Sequence, residues 1–142
     1  MGRILAIDYG RKRCGIAATD PLGMIASPLT TVRTHELIGF LKKYLAEEDV
    51  ECLVIGEPRQ MDHSASEAEQ YIAPFIKQAG KVFPGLRIER IDERFTSAMA
   101  SKAILESGIG KKARQDKSLV DKVSAAIILQ TYLEMKEKSN NK

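Results

Sequence analysis

Short apolar segments separated by turn residues make up the first part of the chain. The segments at 3–8, 14–19 and 24–32 are of strand length, and the residues between them are typical of turns. Pro28 interrupts the third segment, and because proline cannot donate to a strand ladder, this segment is predicted to be an edge strand. Three strands with short connections predict an antiparallel meander.

From residue 34 onward, helical spacing alternates with strand-length apolar runs. Thr34 is predicted to cap a helix whose apolar positions are Leu37, Ile38, Leu41, Tyr44 and Leu45. The remaining predicted elements are a strand at 51–56, a helix at 64–82, a strand at 87–91, a helix at 96–107, a basic loop at 110–117 and a last helix at 118–137.

This pattern predicts an α/β fold of order β-β-β-α-β-α-β-α-α. Strands that are joined through helices pair in parallel by right-handed crossovers, so the expected sheet is mixed and five-stranded, with helices on both faces. A length of 142 residues accounts for one domain, expected at 1–138, followed by a frayed tail at 139–142.

Composition narrows the class of protein. The 44% apolar and 29% charged fractions are typical of soluble globular proteins. We expect no signal peptide, because the N-terminus enters a strand-like pattern within three residues. We expect no membrane association, because no apolar run approaches the roughly 18 residues needed to span a bilayer. Cys14 and Cys52 lack metal-ligand spacing, so we expect two buried, reduced thiols in a cytoplasmic protein.

Basic residues are concentrated in two segments. The net charge of +3 is too small to predict nucleic-acid binding by itself. The two clusters could bind phosphates, and the alternative is that they are solvated loop residues. They consist of Arg11, Lys12 and Arg13, and of Lys111, Lys112, Arg114 and Lys117, all of which except Lys117 are candidate contacts.

Carboxylates follow three of the predicted strands and begin the last helix. Ligand sites in open α/β sheets lie outside the carboxyl ends of strands, where Asp8, Glu57 and the pair Asp92/Glu93 fall. Asp121 begins the apolar stripe of the last helix. Clustered carboxylates repel one another, and a bound Mg²⁺ or Mn²⁺ would remove that repulsion. Such ions can activate water for phosphodiester hydrolysis without a nucleophilic side chain.

Each carboxylate also has a structural interpretation. Asp121 follows Ser118 at capping-box spacing, Glu57 could be a solvated turn residue, and Asp92 or Glu93 could pair with a neighbouring arginine. Asp8 is the hardest to explain structurally, because it ends a strand that should be buried. His35 and His63 are interpreted as surface residues, although His63 could contact a substrate phosphate.

These landmarks resemble the YqgF family, also called RuvX, whose members have been described first as Holliday-junction resolvases and later as pre-16S rRNA nucleases. The resemblance extends from Arg3 to Tyr132 and includes D-x-G, G-x-P, DERxT and D-x-x-(A/S)-A motifs in the same order. Four segments carry it, namely RILAIDYGRKRCGIA, LVIGEPRQMDHS, IDERFTS and VDKVSAAIILQTYLE.

The resemblance implies an RNase-H-like fold related to the RuvC resolvase, and a divalent-metal-dependent nuclease that trims the 5′ end of the 16S rRNA precursor in the cytoplasm. It places the catalytic, metal-binding carboxylates at Asp8, at Glu93 in preference to Asp92, and at Asp121. The implied partners are structured RNA, branched DNA as the alternative, and ribosomal precursor particles. Monomer and weak homodimer both remain open.

Two further residues of the motifs have less certain roles under this resemblance. Arg94 could orient a carboxylate or contact a phosphate. Many relatives carry an apolar residue at the position of Glu57, so the resemblance gives Glu57 little support as an additional ligand.

Two other functions compete with a nuclease. Asp8, Gly10 and Gly15 resemble the phosphate loop of actin-like ATPases, but those proteins close two such domains around a nucleotide, and this length supplies one. A non-catalytic RNA-binding assembly protein is the second rival. The sequence has no array of aromatics for base stacking, so we expect recognition of shape and phosphates in a structured or duplex substrate.

Overall fold

The computed structural model describes residues 2–57, 69–92 and 117–140. A 3₁₀ turn at Thr34–Glu36 leads into the first helix. The strands are β1 (Arg3–Tyr9), β2 (Arg13–Thr19), β3 (Ala26–Arg33), β4 (Val50–Glu57) and β5 (Arg87–Asp92), and the helices are α1 (Leu37–Glu47), α2 (Glu69–Val82) and α3 (Lys117–Asn140).

The five strands form one mixed sheet in the order β3-β2-β1-β4-β5. The first three make the predicted antiparallel meander, and β4 pairs in parallel with both β1 and β5. In register, Ile7 of β1 lies beside Ile55 of β4, and Gly56 lies beside Ile91 of β5. The predicted adjacency of the first, fourth and fifth strands is therefore confirmed.

Alternate residues along the strands pack against different helices, as the period of two requires. We call the two sides the α1–α2 face and the α3 face. The α1–α2 face carries Leu5, Ile7, Ile16, Leu53 and Ile55, with Leu37, Leu41, Ile72, Phe75 and Ala79 from the helices. The α3 face carries Ile4, Ala6, Ala17, Cys52, Val54 and Ile91, with Ala125, Ile128, Leu129 and Tyr132 from α3.

Several expectations about individual elements can be compared with the structure. Helices on both faces and five strands are confirmed, and both cysteines are buried free thiols. The prediction that Thr34 caps α1 is wrong, because its hydroxyl instead donates to the Gly10 carbonyl at 2.6 Å. The last helix continues to Asn140, into the segment expected to be frayed. The predicted helix at 96–107 and residues 110–116 of the basic loop lie outside the described residues.

The edge strand β3 is irregular, as Pro28 predicts. Its pairing with β2 shifts between Ile16 and Ala17, which face Thr30 and Pro28 respectively, so β3 contains one extra residue. Such a bulge interrupts the ladder and increases local twist.

Among the described helices, none is long and apolar enough to cross a membrane.

Arg90 joins three elements at the carboxyl end of the sheet. Its guanidinium donates to both carboxylate oxygens of Glu69, at 2.8 and 3.0 Å, and this residue begins α2. It also donates to the carbonyls of Ile55 at 3.2 Å and Gly56 at 3.1 Å. Glu57 lies farther away, at 4.0 Å. A bidentate, half-buried ion pair of this kind fixes orientation as well as distance.

Arg87 makes a comparable connection at the amino end of the same strand. Its Nη2 donates to the Tyr132 hydroxyl of α3 at 3.0 Å, and the Cys52 thiol lies 4.0 Å from the same oxygen. Burial raises the pKa of Tyr132, and the neighbouring Cys52 raises it further. The tyrosine therefore stays neutral and accepts the arginine hydrogen bond. These contacts place the second half of α3 over the amino ends of β4 and β5.

We predict that Thr131→Val stabilises the protein. The buried Thr131 hydroxyl has no hydrogen-bond partner in the part of the chain that the structure describes. Valine has the same shape without that group, so the free energy of unfolding should rise by about 1 kcal/mol in urea titrations. The matched control is Thr19→Val, because the Thr19 hydroxyl accepts from Ile4 N–H and donates to the Asp20 carbonyl. That variant should be less stable by about 1–2 kcal/mol, and equal effects at the two sites would contradict the prediction.

We also predict that Arg90→Met lowers the free energy of unfolding by about 2–3 kcal/mol, because it leaves Glu69 and two carbonyls without their donor. In a double-mutant cycle with Glu69→Gln, the pair should show a coupling of about 1–2 kcal/mol. The control is the exposed pair Lys136–Glu51, 3.9 Å apart, where Lys136→Met should change stability by less than about 0.5 kcal/mol. If the effects of Arg90→Met and Glu69→Gln on stability are additive, the ion pair does not contribute to stability and the prediction is wrong.

Candidate active site at the carboxyl edge of the sheet

Asp8 lies on the α3 face of the sheet, one residue before the end of β1. Ile4 and Ala6 precede it at even spacing, and both pack in the cluster that α3 covers. Asp8 is half-buried and takes part in interactions, so it is a fixed part of the sheet. The expectation that a carboxylate closes the buried first strand is thus met by position and burial.

Glycines lie beside Asp8 on both neighbouring strands. Gly15 of β2 is its Cα partner. On the other side Ile7 pairs with Ile55, so the next residue of β4, Gly56, continues the register beside Asp8. Both glycines are buried. Because glycine has no side chain, the row that contains Asp8 carries no bulky neighbour on either adjoining strand.

The direction of α3 brings its first turns toward the same edge. Tyr132 lies over Cys52 at the amino end of β4. Position 121 precedes Tyr132 by eleven residues, or about 16 Å of helix axis. Gly56 lies four residues, or about 13 Å, beyond Cys52 along β4. The first turns of α3 therefore extend toward the carboxyl edge of the sheet, and Asp121 precedes the sheet-packed Ala125 by about one turn.

The structure separates Glu57 from Asp8. Glu57 is the last residue of β4, and its neighbours Ile55 and Leu53 of the same parity pack on the α1–α2 face. Its carboxylate lies 4.0 Å from Arg90 on that side. The sequence treated Glu57 as a possible additional ligand because it ends a strand, but strand alternation places it on the opposite face from Asp8. It therefore does not share a face with Asp8.

The remaining acidic candidates are described only in part. Asp92 is the last residue of β5 and is the Cα partner of Glu57, so the end of β5 reaches the same edge. Glu93 lies outside the described residues, as do Arg94, Lys111, Lys112 and Arg114 from the predicted nucleic-acid-binding set. The interpretation of His35 as a surface residue is confirmed, since 74% of its side chain is exposed, and His63 lies outside the described range.

The oxygen-donor character of the edge fits a hard divalent cation. The Cys14 thiol belongs to the cluster on the opposite face of the sheet from Asp8, and Cys52 lies at the amino end of the sheet, so neither soft ligand shares the face and the edge where Asp8 lies. Carboxylate oxygens are among the hard ligands that Mg²⁺ and Mn²⁺ prefer. Within the described ranges, no three His, Cys, Asp or Glu side chains form a metal cluster, and the candidate ligands Glu93 and Asp121 contribute no described side chain.

The first basic cluster lies in the β1–β2 turn and at the start of β2, and Thr34 makes two hydrogen bonds to the backbone of this turn. The Thr34 hydroxyl donates to the Gly10 carbonyl at 2.6 Å, and its backbone N–H donates to the Lys12 carbonyl at 3.0 Å. A Cβ on Gly10 would approach the Arg13 carbonyl to 2.5 Å, so only glycine fits there. Arg11 and Lys12 are exposed in this turn.

Three residues near this edge were missed by reasoning from sequence. Arg90 was treated as a neighbour of Asp92 or Glu93, whereas it pairs with Glu69 across the fold. Arg33 is the Cα partner of Arg13, which the hairpin register could have predicted. Tyr71 of α2 is 42% exposed and lies under the Arg11 guanidinium. The sequence could have indicated Tyr71, because it is an aromatic residue that lies off the apolar stripe of the helix.

Comparisons with known proteins give the family and the fold. The RuvX family model, described as Holliday junction resolvase, matches residues 2–135. A relative from Porphyromonas gingivalis is 58% identical, over 94% of this chain and 97% of the relative. A relative from Bacteroides thetaiotaomicron is 57% identical, over 96% and 99%. Both carry the name "Putative pre-16S rRNA nuclease".

A solved structure resembles the fold at low sequence identity. It is T. thermophilus RuvC in complex with a Holliday junction substrate, with a TM-score of 0.56 and 16% identity, covering 96% of this chain and 97% of that one. The sheet order and helix layers described above agree with that RNase-H-like architecture. With a family match over nearly its whole length and relatives above 50% identity, the chain belongs to the RuvX (YqgF) family and has an RNase-H-like fold.

Proposed function

We propose that the chain is a divalent-metal-dependent nuclease that hydrolyses nucleic-acid phosphodiesters at the carboxyl edge of its sheet. The observation that carries this proposal is the position of Asp8, half-buried on the α3 face between two glycines. A carboxylate oxygen in that position is a ligand of the kind that Mg²⁺ and Mn²⁺ prefer, and the basic turn after β1 offers a phosphate-binding group close by.

Asp8, Glu93 and Asp121 are proposed to hold Mg²⁺ or Mn²⁺. Asp121 is supported by its place one turn before the sheet-packed Ala125, in the part of α3 that extends toward the carboxyl edge. Glu93 is preferred to Asp92 in this set because the resemblance to the family implies it. Glu57 is left out of this set because it lies on the other face.

Hydrolysis then needs no nucleophilic side chain. The bound cation supplies activation of the attacking water and stabilisation of the leaving oxygen. Water adds to phosphorus, the bond to the leaving oxygen breaks, and the proton released by the water is balanced by protonation of that oxygen. Of the residues of this chain, Asp8 would hold the cation, and Arg11 and Lys12 would orient the neighbouring phosphates of the substrate.

The proposed substrate is the 5′ end of the 16S rRNA precursor, processed in the cytoplasm on ribosomal precursor particles. This choice is supported by the names of the relatives at 50–58% identity. Cleavage of branched DNA is the second candidate, favoured by the family description and by the Holliday junction bound in the RuvC structure. A resolvase needs two active sites related by two-fold symmetry, so it would have to act as a dimer.

We predict that Asp8→Asn reduces cleavage by at least about a hundredfold, because removal of one metal-ligand charge weakens both water activation and phosphate orientation. The measurement is the cleavage rate of a precursor rRNA fragment and of a four-way DNA junction, each with Mg²⁺ or Mn²⁺. The matched control is Glu57→Gln, a carboxylate at the same edge on the other face, which should keep its rate within about twofold.

The outcomes separate the candidates. Cleavage of the rRNA fragment alone supports processing, and cleavage of the junction alone supports a resolvase. Retention of activity by purified Asp8→Asn, or equal losses in Asp8→Asn and Glu57→Gln, would refute the proposed site.

A second prediction concerns stability without metal. If Asp8 lies close to other carboxylates, Asp8→Asn should raise the free energy of unfolding in EDTA by roughly 1 kcal/mol, because like charges are separated on unfolding. Adding Mg²⁺ should raise the melting temperature of the wild type by mass action and leave that of the variant unchanged. A less stable variant in EDTA would count against clustering.

A further inference from the structure

We propose that Tyr71 and Arg11 form a stacking platform for an unpaired nucleobase of the nucleic-acid strand that is cut at Asp8. The inference rests on the proposed function for the identity of the strand. It adds a second contact site, on α2 and the β1–β2 turn, and it narrows the substrate to nucleic acid with an unpaired nucleotide beside the cleaved phosphodiester.

The pair is an exposed aromatic ring in contact with an exposed cation. The Arg11 Cζ lies 4.9 Å from the centroid of the Tyr71 ring. The tyrosine keeps 42% of its surface in contact with solvent even with the arginine in place. Nucleobases stack on both aromatic rings and guanidinium planes, so the pair offers a base two surfaces of the right kind.

The platform is close to the candidate active site. Arg11 follows Asp8 by three residues, so the two backbones are at most about 10 Å apart. Tyr9, adjacent to Asp8, packs its ring 5.1 Å from that of Phe75, and Phe75 follows Tyr71 by about one turn of α2. A strand that bound its scissile phosphate at Asp8 would cross the β1–β2 turn and reach the platform on the other face of the sheet.

The turn is held in place before any ligand binds. Thr34 bonds the carbonyls of both Gly10 and Lys12, and Gly10 has no room for a side chain. Glu69, two residues before Tyr71, is fixed by Arg90 at the end of β4. Because both partners of the platform stand on braced backbone, little conformational entropy is lost when a base stacks on them.

The surrounding charge favours a polyanion. Lys12 extends from the same exposed turn as Arg11. Arg13 and Arg33 are Cα partners on β2 and β3, and strand parity places them on the α3 face with Asp8, where they add to the basic surface near the candidate active site. A stacking ring beside cations, here Arg11 and Lys12, is the combination used for single-stranded nucleic acid, whereas duplex recognition needs no exposed ring.

The chain itself supplies a spectroscopic test, since it contains no tryptophan. In Tyr71→Trp the single indole should be quenched when a short oligoadenylate RNA is added in EDTA, which prevents cleavage. The matched control is Tyr44→Trp on α1, where the ring lies beside Arg3 at the opposite end of the sheet, and its emission should not change. Quenching of both, or of neither, overturns the inference.

Affinity separates stacking from phosphate contact. In EDTA, Tyr71→Ala should weaken binding of the oligoadenylate about fivefold or more, while Tyr71→Phe keeps it within about twofold. An abasic site at the contacted nucleotide should weaken binding to the wild type by a similar factor. It should not weaken binding to Tyr71→Ala any further, because the stacking contact is already lost. Arg11→Ala should weaken binding and also reduce the salt dependence. The platform is rejected if Tyr71→Ala binds the oligoadenylate as tightly as the wild type does. It is also rejected if the abasic site still weakens binding to Tyr71→Ala.

The experiment distinguishes this inference from the proposed function, because it measures binding without cleavage. Normal cutting together with unaffected binding by Tyr71→Ala would remove the platform and leave the nuclease. Base-dependent quenching at position 71 without any cutting of RNA or DNA would keep the platform and remove the nuclease.

Discussion

The parallel pairing of β1 with β4 is the constraint on which the rest of the structure depends. It lies at the centre of the sheet, and Leu5, Ile7, Leu53 and Ile55 on its α1–α2 side are fully buried. Because side chains alternate strictly along a strand, a slip of one residue would turn this row toward α3 and carry Asp8 to the other face. The apolar core and the placement of the candidate catalytic carboxylate are therefore determined by one register.

β5 is held in the sheet differently, since it is an edge strand with four charged residues among six and few apolar side chains to bury. Its two arginines connect it to helices on opposite faces of the sheet, one at each end of the strand. Arg87 bonds Tyr132 of α3 at the amino end, and Arg90 bonds Glu69 of α2 at the carboxyl end. These directional contacts do for β5 what apolar burial does for β1 and β4. They also fix the strand that leads to the acidic pair at 92–93.

Much of this architecture could be predicted from the sequence because it follows from periodicity. Apolar runs and helical spacing located the five strands and the described helices within a few residues, and parity could have assigned Asp8 to one face. Thr34 and Glu57 show where such reasoning ends. The Thr34 hydroxyl bonds a turn 24 residues earlier instead of its own helix, and Glu57 lies opposite Asp8 because strand ends do not specify a face. Both depend on contacts between distant segments, which local patterns do not contain.

The irregular edge at β3 has a consequence for how copies of this protein can associate. An open strand edge is a template for another chain, and proteins blunt it with prolines and bulges. β3 has both, at Pro28 and at the shift beside it. Growth of the sheet through this edge is therefore obstructed, so two copies that bound one branched or folded nucleic acid would have to meet through surfaces other than β3. The same obstruction disfavours strand-to-strand aggregation at this edge.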